Sequence, residues 1–246
     1  MNPAMKFDDV KKLHQKKYRK EFGHFLVEGE HLVLELQKAA AQNSHLQGSE
    51  LYVTSAHEQW PSPFARHVIS DRQMAQLSDT QSPQGVIALV PMLPPADARQ
   101  RTGERAIYLH EVQDPGNLGT ILRSLAWFGN FRCLLSPGSV DPHNSKVVRA
   151  SMGAIFHVPF ELDVELLSLR QRFPRIACLD MDGESLHSPG FGSFDCYVFG
   201  NEARGIPRDQ LNALDAKAFT ITGTGAIESL NLASVVNICV YELNRQ

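Results

Sequence analysis

Three stretches of the sequence combine glycine with side chains that could bind a ligand, and each follows an apolar segment directly. "DPGNLGTILR" offers the Asn117 amide and the Arg123 guanidinium, and "GNEARGIP" offers the Glu202 carboxylate. "GTGAIESLN" ends on the Ser229 hydroxyl and the Asn231 amide. Such groups hydrogen-bond a polar substrate or orient one another, and glycine lets the backbone itself approach a ligand.

The same side chains also have ordinary structural interpretations. Asn117 can cap a helix that begins at Leu118, and Ser229 and Asn231 can cap the last helix of the chain. Arg123 either reaches toward the strand ends or lies along its helix. The carboxylate that follows Gly200 can orient an arginine, bind a ligand or face water.

The glycine spacing excludes the common nucleotide-binding motifs. In "GTGAIE" the position of the third glycine of a dinucleotide fingerprint is Glu228, and no further nucleotide-binding strand follows. The turn before Leu118 matches neither that fingerprint nor a Walker loop. No histidine, cysteine and acidic residues cluster at metal-ligand spacing, so we expect no metal. His110 and His143 are interpreted as ordinary structural or exposed histidines.

Apolar segments that alternate with helical patterns must position the three stretches. Strands are predicted at 106–112, 131–136, 175–180, 195–200 and 218–223, and helices at 118–128, 145–152, 164–172 and 230–244. Wholly apolar strands joined by helices form a parallel sheet covered on both faces, and ligands bind beyond the carboxyl ends of such strands. The stretches follow the first, fourth and fifth strands, which predicts one site at that edge.

The first part of the chain is predicted to be a separate, small α/β domain. Strands are predicted at 25–29, 51–55, 67–70 and 85–90, with helices at 30–41 and 71–80, the latter capped by Asp71. The stretch "PMLPPADARQRTGER" has the proline-rich, polar composition of a linker. We therefore predict one domain at 1–92, a linker at 93–104 and a second domain at 105–246.

Basic side chains are concentrated in two places, although the net charge of the 246-residue chain is -3. One cluster lies between Lys6 and Lys20, and a second pair lies one helical turn apart near residue 147. Clustered lysine and arginine bind nucleic-acid phosphates through counterion release, although a solvated helix face has the same composition. The predicted phosphate-binding side chains are Lys11, Lys12, Lys16, Lys17, Arg19, Lys146 and Arg149.

Cysteine usage and hydropathy bear on the compartment. The chain has four cysteines, none in a CxxC pair and three in strand-like apolar runs, which is typical of small core residues. The beginning of the chain does not resemble a signal peptide, and no apolar run is long enough to span a membrane. We expect a reduced, cytoplasmic protein.

In this order, the three stretches resemble the three motifs of the SpoU/TrmH branch of the SPOUT methyltransferases. "SKVVRASMGAIFHVPF" is similar to the segment between the first two motifs, and "HFLVEGEHLVLEL" and "SPQGVIALV" resemble the family's ribosomal-protein-like RNA-binding domain. The resemblance implies an α/β protein with a parallel-sheet C-terminal domain threaded into a deep trefoil knot, an exception to the usual absence of knots. A small α/β RNA-binding domain precedes it, and the knotted domains form a homodimer.

The same resemblance implies the reaction. The cofactor is S-adenosyl-L-methionine, the acceptor is a ribose 2′-hydroxyl of RNA, and the basic side chains named above become the RNA-binding set. The implied catalytic residues are Asn117, Arg123, Glu202, Ser229 and Asn231. The implied cofactor-binding residues are Gly200, Asn201, Glu202, Gly205, Ile221, Gly225, Leu230 and Asn231. The chain departs from the family at Ile221-Thr222-Gly223, where the family has Ile-Pro-Met.

The roles implied for these residues are mostly positional. A guanidinium ordinarily keeps its proton, so Arg123 is expected first to bind the target phosphate and ribose, and to act as a base only if strongly perturbed. Asn117 is expected to orient Arg123 or the ribose, and Glu202 to fix an arginine of either subunit. Ser229 and Asn231 are expected to bind substrate or shape the cofactor loop.

Three alternatives accompany this hypothesis. The fused N-terminal domain resembles that of the rRNA-modifying members, which favours rRNA over tRNA as substrate by analogy. A catalytically inactive RNA-binding relative is disfavoured by the intact motifs. An α/β oxidoreductase is disfavoured because no strand is followed by a complete GxGxxG.

Overall fold

The computed structural model describes residues 5–94, 103–227 and 229–245. In chain order the helices are α1 (Phe7–Lys12), α2 (Lys16–Phe22), α3 (Glu30–Ala40), α4 (Asp71–Leu77), α5 (Pro115–Phe128), α6 (Ser145–Ser151), α7 (Leu169–Arg172), α8 (Arg208–Leu214) and α9 (Leu232–Arg245). The strands are β1 (His24–Glu28), β2 (Glu50–Val53), β3 (Ala65–Val68), β4 (Val86–Pro91), β5 (Arg105–Leu109), β6 (Phe131–Leu135), β7 (Phe160–Glu161), β8 (Ile176–Ser185), β9 (Cys196–Phe199) and β10 (Lys217–Thr220).

These elements form two compact units. The first comprises Met1–Pro94 and Asp141–His157, and the second comprises Pro95–Val140 and Val158–Gln246. The sequence assigned all of 105–246 to one domain, whereas the segment Asp141–His157 groups with the first unit. The predicted linker at 93–104 lies mostly outside the described residues, so its boundaries stay a prediction.

The first unit contains a four-stranded sheet in the order β1-β4-β2-β3. β4 runs antiparallel to β1 and β2, and β3 runs parallel to β2. Helix α3 buries Leu32, Val33 and Leu36 because apolar residues recur on one helical face. On α4 the predicted cap is wrong by one residue: Ser70, not Asp71, caps the helix. Its hydroxyl accepts from the Gln73 backbone while the Gln73 side chain returns a bond to the Ser70 N–H.

The second unit contains a six-stranded sheet in the order β10-β8-β9-β5-β6-β7, and every neighbouring pair is parallel. The parallel sheet predicted from the sequence is thereby confirmed. β5, β6 and β9 are buried along almost their whole length, which is why their residues are apolar apart from Arg105 and Arg132. The sequence analysis missed the two-residue strand β7 and the helix α8, which are too short to give a periodic signal.

Arg19 of α2 forms a buried ion pair inside the first unit. Only 4% of its side chain is exposed. Its Nε and Nη2 donate to Asp141 Oδ2 at 3.0 and 2.7 Å, and its Nη1 donates to the carbonyls of Leu13 and His14 at 2.8 and 2.9 Å. The prediction that Arg19 contacts RNA is therefore corrected, because its guanidinium is enclosed by protein acceptors.

Asp141 anchors the segment Asp141–His157 within this unit. Burial alone would raise the Asp141 pKa, but hydrogen bonds from His143 and Arg19 and the charge of Arg19 outweigh it and hold the pKa well below its usual value. The His143 ring also packs on Phe25, with ring centroids 4.7 Å apart. A polar pair and an aromatic contact thus hold the segment.

The cysteines occupy core positions, as their apolar sequence surroundings predicted. All four cysteines are free and buried, and burial raises the pKa of Cys133 to about 12 and of Cys178 to about 11. These thiols therefore stay protonated and act as core residues. Within the described residues, no helix combines the length and apolar character that a membrane span requires.

We predict that Asp141→Asn will lower the free energy of unfolding by ~3 kcal/mol at pH 7, because it leaves the Arg19 charge buried without a counterion. Urea denaturation followed by fluorescence will measure the loss. Because the Asp141 pKa is depressed in the folded state, its contribution is present at neutral pH. It is lost progressively as the pH falls from ~4 toward the depressed pKa of the folded state, and the two proteins should converge in stability over that range.

Asp8→Asn is the matched control, because the Asp8–Lys11 pair is exposed and lies within one helix. We expect no measurable shift in its urea midpoint. Equal midpoints for wild type and Asp141→Asn at pH 7 would contradict a structural role for the buried pair.

Candidate active site

Three loops of the second unit meet beyond the carboxyl ends of its strands. They are the β5 loop (110–114), the β9 loop (200–207) and the β10 loop (221–231). Asn117 on α5 links all three: its Nδ2 donates to Glu202 Oε1 at 3.2 Å, and its Oδ1 accepts from Asn231 Nδ2 at 2.8 Å. The structure thus brings together one predicted residue from each of the three sequence stretches.

The start of α5 explains why the Asn117 side chain is available. The predicted cap is wrong by three residues: Asp114, not Asn117, is the N-cap, and its Oδ1 accepts from the Asn117 backbone N–H at 2.7 Å. Pro115 occupies the first helical position, where its missing N–H and fixed φ are favourable. Asn117 therefore lies in the first turn of the helix, and its amide turns to the neighbouring loops.

Asn231 has the capping role that the sequence allowed. Its Oδ1 accepts from the backbone N–H groups of Ala233 and Ser234, at 2.9 and 3.4 Å, at the start of α9. Its Nδ2 remains for the bond to Asn117. One side chain therefore fixes both a helix terminus and the site. The neighbouring Ser229 is exposed, and its hydroxyl has no hydrogen-bond partner among the described residues.

The Glu202 carboxylate faces donors from the turn that precedes α5. The backbone N–H groups of Gln113 and Asp114 lie 3.4 and 3.5 Å from its oxygens, in addition to the Asn117 amide. The expectation that Glu202 fixes an arginine finds no such contact among the described residues. In this chain its neighbour is an amide, which it holds in one orientation.

The β9 loop closes tightly on itself. Asn201 and Gly205 exchange backbone hydrogen bonds of 3.1 and 2.9 Å, and Gly205 adopts a left-handed conformation with φ +64°. A Cβ on Gly200 would lie 2.7 Å from the Gly205 carbonyl carbon, so only glycine fits there. This close approach leaves a narrow backbone cradle at the end of β9.

Asn201 has a different role from the direct cofactor contact that was predicted. Its Nδ2 donates to the Glu111 carbonyl at 2.7 Å, and its Oδ1 accepts from the N–H groups of Ala203 and Arg204, both at 3.0 Å. The residue is buried, and these bonds engage its side-chain amide. Asn201 therefore shapes the β9 loop.

The β10 loop offers the features that S-adenosyl-L-methionine needs. Ile221 and Leu230 form no backbone hydrogen bonds with other described residues, so their N–H and C=O groups are open to a ligand. Gly225 has φ +81°, and the side chains of Ile227 and Leu230 are exposed and apolar. Open polar backbone beside apolar side chains suits an adenosine, which has polar edges and an apolar face. The predicted residues therefore fit the cofactor.

Arg123 lies on the exposed face of α5, two turns beyond Asn117. No carboxylate or carbonyl among the described residues is bonded to it. Its guanidinium is thus free to bind an anion, as the sequence interpretation required. Trp127, one turn further along the same face, is 86% exposed.

The sequence analysis missed Glu111, which connects the β5 loop to the β9 loop. It adopts φ +49°, rare for a residue other than glycine, and its N–H donates to Ser136 Oγ at 2.6 Å. Its carbonyl accepts from the amides of Asn201 and Gln113, at 2.7 and 3.0 Å. No sequence signal marks a left-handed glutamate, because its conformation is imposed by these tertiary bonds.

A metal site is not evident among the described residues of the second unit. The described residues contain no group of histidine, cysteine and acidic side chains arranged to hold a metal ion. Beside the site, Nδ1 of His110 is buried and has no hydrogen-bond partner among the described residues. Burial lowers the His110 pKa, so the ring is neutral at physiological pH.

The parallel sheet and the loops at its carboxyl edge agree with an RNA methyltransferase, and two family models match the chain. Residues 104–241 match the SpoU rRNA Methylase family, and residues 2–88 match the MRM3-like substrate binding domain. The chain belongs to the SpoU rRNA methylase family. The predicted activity is thereby confirmed at the level of an S-adenosyl-L-methionine-dependent RNA 2′-O-methyltransferase.

Individual relatives extend over the whole chain. The 23S rRNA (guanosine(2553)-2′-O)-methyltransferase RlmP of Bacillus subtilis is 30% identical over 97% of this chain and 95% of its own length. A putative TrmH-family RNA methyltransferase structure from Porphyromonas gingivalis is 30% identical, with TM-score 0.81 over 100% of this chain and 99% of that one. An AdoMet-bound rRNA methyltransferase from Sinorhizobium meliloti is 25% identical, with TM-score 0.80 over 99% and 95%.

We predict that Gly200→Ala will weaken S-adenosyl-L-methionine binding about tenfold or more. The new Cβ must displace the Gly205 backbone, and overpacking of this kind costs ~1–3 kcal/mol, where about 1.4 kcal/mol is a factor of ten. Isothermal titration calorimetry will measure the affinity. Gly190→Ala is the control, because its Cβ would find its nearest neighbour at 3.9 Å. Equal affinities for the two variants would place the β9 loop outside the cofactor site.

Proposed function

We propose that this protein methylates a ribose 2′-hydroxyl of ribosomal RNA, using the three loops around Asn117. The observation that carries the proposal is the bonding of Asn117 to both Glu202 and Asn231, which assembles the three motifs at one sheet edge. The substrate-binding domain match and the rRNA named for the Bacillus relative favour rRNA over tRNA.

The cofactor-binding part of the site consists of the β9 and β10 loops. S-adenosyl-L-methionine supplies a methyl group carried on a positively charged sulfur. We assign its binding to the backbone at Gly200, Gly205, Ile221, Gly225 and Leu230. Asn201 keeps the β9 loop in place, and Glu202 keeps the Asn117 side chain in place. Asn231 keeps the β10 loop in place. In this proposal the chain between these loops is threaded as the predicted trefoil knot.

The acceptor side of the site is built on α5. We assign Arg123 to the phosphate and ribose of the target nucleotide, because its guanidinium is exposed and has no counterion among the described residues. The Asn117 amide has a single orientation, since Glu202 accepts from its nitrogen and Asn231 donates to its oxygen. A pre-oriented amide and a cation hold the acceptor in line with the methyl donor, which is mostly catalysis by positioning. Ser229 adds an exposed hydroxyl at the mouth.

RNA binding by the first unit rests on its exposed lysines. Lys16, Lys17 and Lys146 are exposed. Lys11 and Lys12 pair with Asp8 and Asp9 at 2.7 and 2.8 Å, but exposed pairs within a helix are weak and exchange readily for phosphate. Arg149 lies 3.4 Å from Asp79 and can exchange in the same way. Arg19 is left out of this set because it is buried.

We propose a homodimer formed by the face that α5 and α9 present. Trp127, Ile238 and Tyr241 are large apolar side chains exposed on these two helices. The Tyr241 ring contacts Phe128 with centroids 6.3 Å apart, so the exposed side chains form a continuous surface. Apolar patches of this kind mark protein interfaces. A second copy also covers the face that carries Arg123, which agrees with a substrate site completed at the dimer.

The proposed compartment is the cytoplasm. Four free, buried cysteines suit a reducing environment, where thiols are not oxidised to disulfides. A substrate in ribosomal RNA requires access to maturing ribosomes in the same compartment.

The function is tested by mapping 2′-O-methyl groups. Ribosomal RNA from cells that lack this protein should gain one 2′-O-methylated nucleotide, detected by mass spectrometry, on incubation with purified protein and S-adenosyl-L-methionine. Arg123→Ala should lose at least ~10²-fold in methylation rate while binding the cofactor with wild-type affinity, because it removes only acceptor contacts. Methylation confined to tRNA would contradict the rRNA assignment, and equal loss of cofactor binding would make Arg123 structural.

The dimer is tested by Trp127→Glu. A charge at the centre of the proposed interface should convert a dimer into a monomer at micromolar concentration, because burial of an unpaired carboxylate opposes association. Light scattering coupled to gel filtration reports the mass. Leu167→Glu, at an exposed apolar residue away from α5 and α9, should remain dimeric. A Trp127→Glu variant that stays dimeric would rule out this face.

A further inference from the structure

Arg204 is a second exposed arginine beside the site. It has no role among the predicted motif residues or in the proposed function. It lies in the β9 loop, two residues after Glu202, and 71% of its side chain is exposed. Its guanidinium forms an ion pair with the Glu111 carboxylate. The pair joins the β5 and β9 loops at the same edge of the sheet as Asn117.

Glu111 is unusually well fixed for a partner of an exposed arginine. Its backbone N–H and C=O bond to Ser136, Asn201 and Gln113, which lie in three different segments of the second unit. Gln113 is itself held by a second bond to the Gly138 carbonyl at 2.8 Å. The backbone that carries the Glu111 carboxylate is therefore rigid, and the carboxylate holds the Arg204 guanidinium close to it.

The other arginines of the second unit mostly serve the opposite edge of its sheet. Arg132, at the start of β6, is buried against Glu104 and Glu161. Arg175, just before β8, pairs with Asp195 at 2.8 Å. Glu104 and Asp195 directly precede β5 and β9, at the amino-terminal ends of the strands, where no predicted site residue lies.

The carboxyl edge has a different balance of charge. Asp114, Glu202 and Glu111 place carboxylates there, and the neighbouring His110 is kept neutral by burial. An RNA backbone is a polyanion, so it needs cations at this edge to offset the carboxylates. Arg123 supplies one, and Arg204 is the exposed cation nearest to Glu202 along the chain. Arg208, which is also on this side, is already bonded to Asp180 at 2.9 Å and approaches a second carboxylate.

Exchange of Glu111 for a phosphate costs little. Exposed ion pairs contribute little to stability, and a guanidinium binds a phosphate through two parallel hydrogen bonds. Arg204 can therefore turn from Glu111 to an incoming phosphate without loss of a large stabilising contact.

We propose that Arg204 binds an RNA phosphate adjacent to the target nucleotide, and that Glu111 is a positioning residue that holds the Arg204 guanidinium there before RNA arrives. The proposal rests on the RNA-methylating function above and adds a specific contact to it. The two arginines have different roles in this proposal. Arg123 acts at the reacting ribose, and Arg204 fixes the position of the RNA strand along the site.

The test compares Arg204→Gln with Arg175→Gln, which removes another exposed, paired arginine from the opposite edge. Affinity for purified ribosomal RNA is measured against salt concentration by filter binding, with no turnover. Loss of one phosphate contact should lower the slope of log affinity against log salt by ~0.7–0.9 in Arg204→Gln. Cofactor affinity, measured by calorimetry, should be unchanged, and Arg175→Gln should keep the wild-type slope.

Glu111→Gln tests the positioning role, because it keeps the backbone bonds and removes only the charge. It should raise the KM for RNA several-fold at unchanged kcat in the wild-type background, and have no further effect in the Arg204→Gln background. Equal effects in both backgrounds would make Glu111 merely structural. A wild-type salt slope in Arg204→Gln would overturn the phosphate contact, whereas failure of wild-type protein to methylate rRNA would instead overturn the proposed function.

Discussion

The amide of Asn117 is the contact on which the site depends, because it bonds to both of the other motif loops. An amide has a donor end and an acceptor end, and here the donor faces Glu202 while the acceptor faces Asn231. An aspartate would put two negative oxygens against Glu202, and a leucine would leave both partners without their bond. The arrangement thus specifies the residue type at 117 and the orientation of its side chain.

This contact requires a backbone that delivers three loops to one place, and the parallel sheet supplies it. Strands that all run in one direction place every carboxyl end at the same edge. The base beneath is rigid: Tyr108 and Tyr197 are fully buried, and their hydroxyls donate to the carbonyls of Val164 and Phe191 at 3.0 and 2.6 Å. The stabilising contacts lie below the edge, which leaves the loops above it free to serve a ligand.

The sequence predicted the structural features that depend on the local residue pattern. It missed those that depend on tertiary contacts. Strands β5, β6 and β9 were predicted within a few residues because burial on both faces makes them almost entirely apolar. The start of α5 was misplaced since aspartate and asparagine are equally good caps, and only the fold decides that Asp114 takes the role. The conformation of Glu111 could not be predicted at all, because long-range hydrogen bonds to Ser136 and Asn201 stabilise it.

The basic cluster at the beginning of the chain shows the same limit for charge. "KKYRKEF" contains mostly polar residues, so its pattern does not reveal which face of α2 is buried. The fold selects Arg19, whose planar group satisfies a carboxylate and two carbonyls at once, as a lysine could not. Arg19 and Arg123 are the same residue type, and their surroundings separate them. The first is enclosed by acceptors and stabilises the fold, whereas the second has no acceptor in the part of the chain that the structure describes and is left for the substrate.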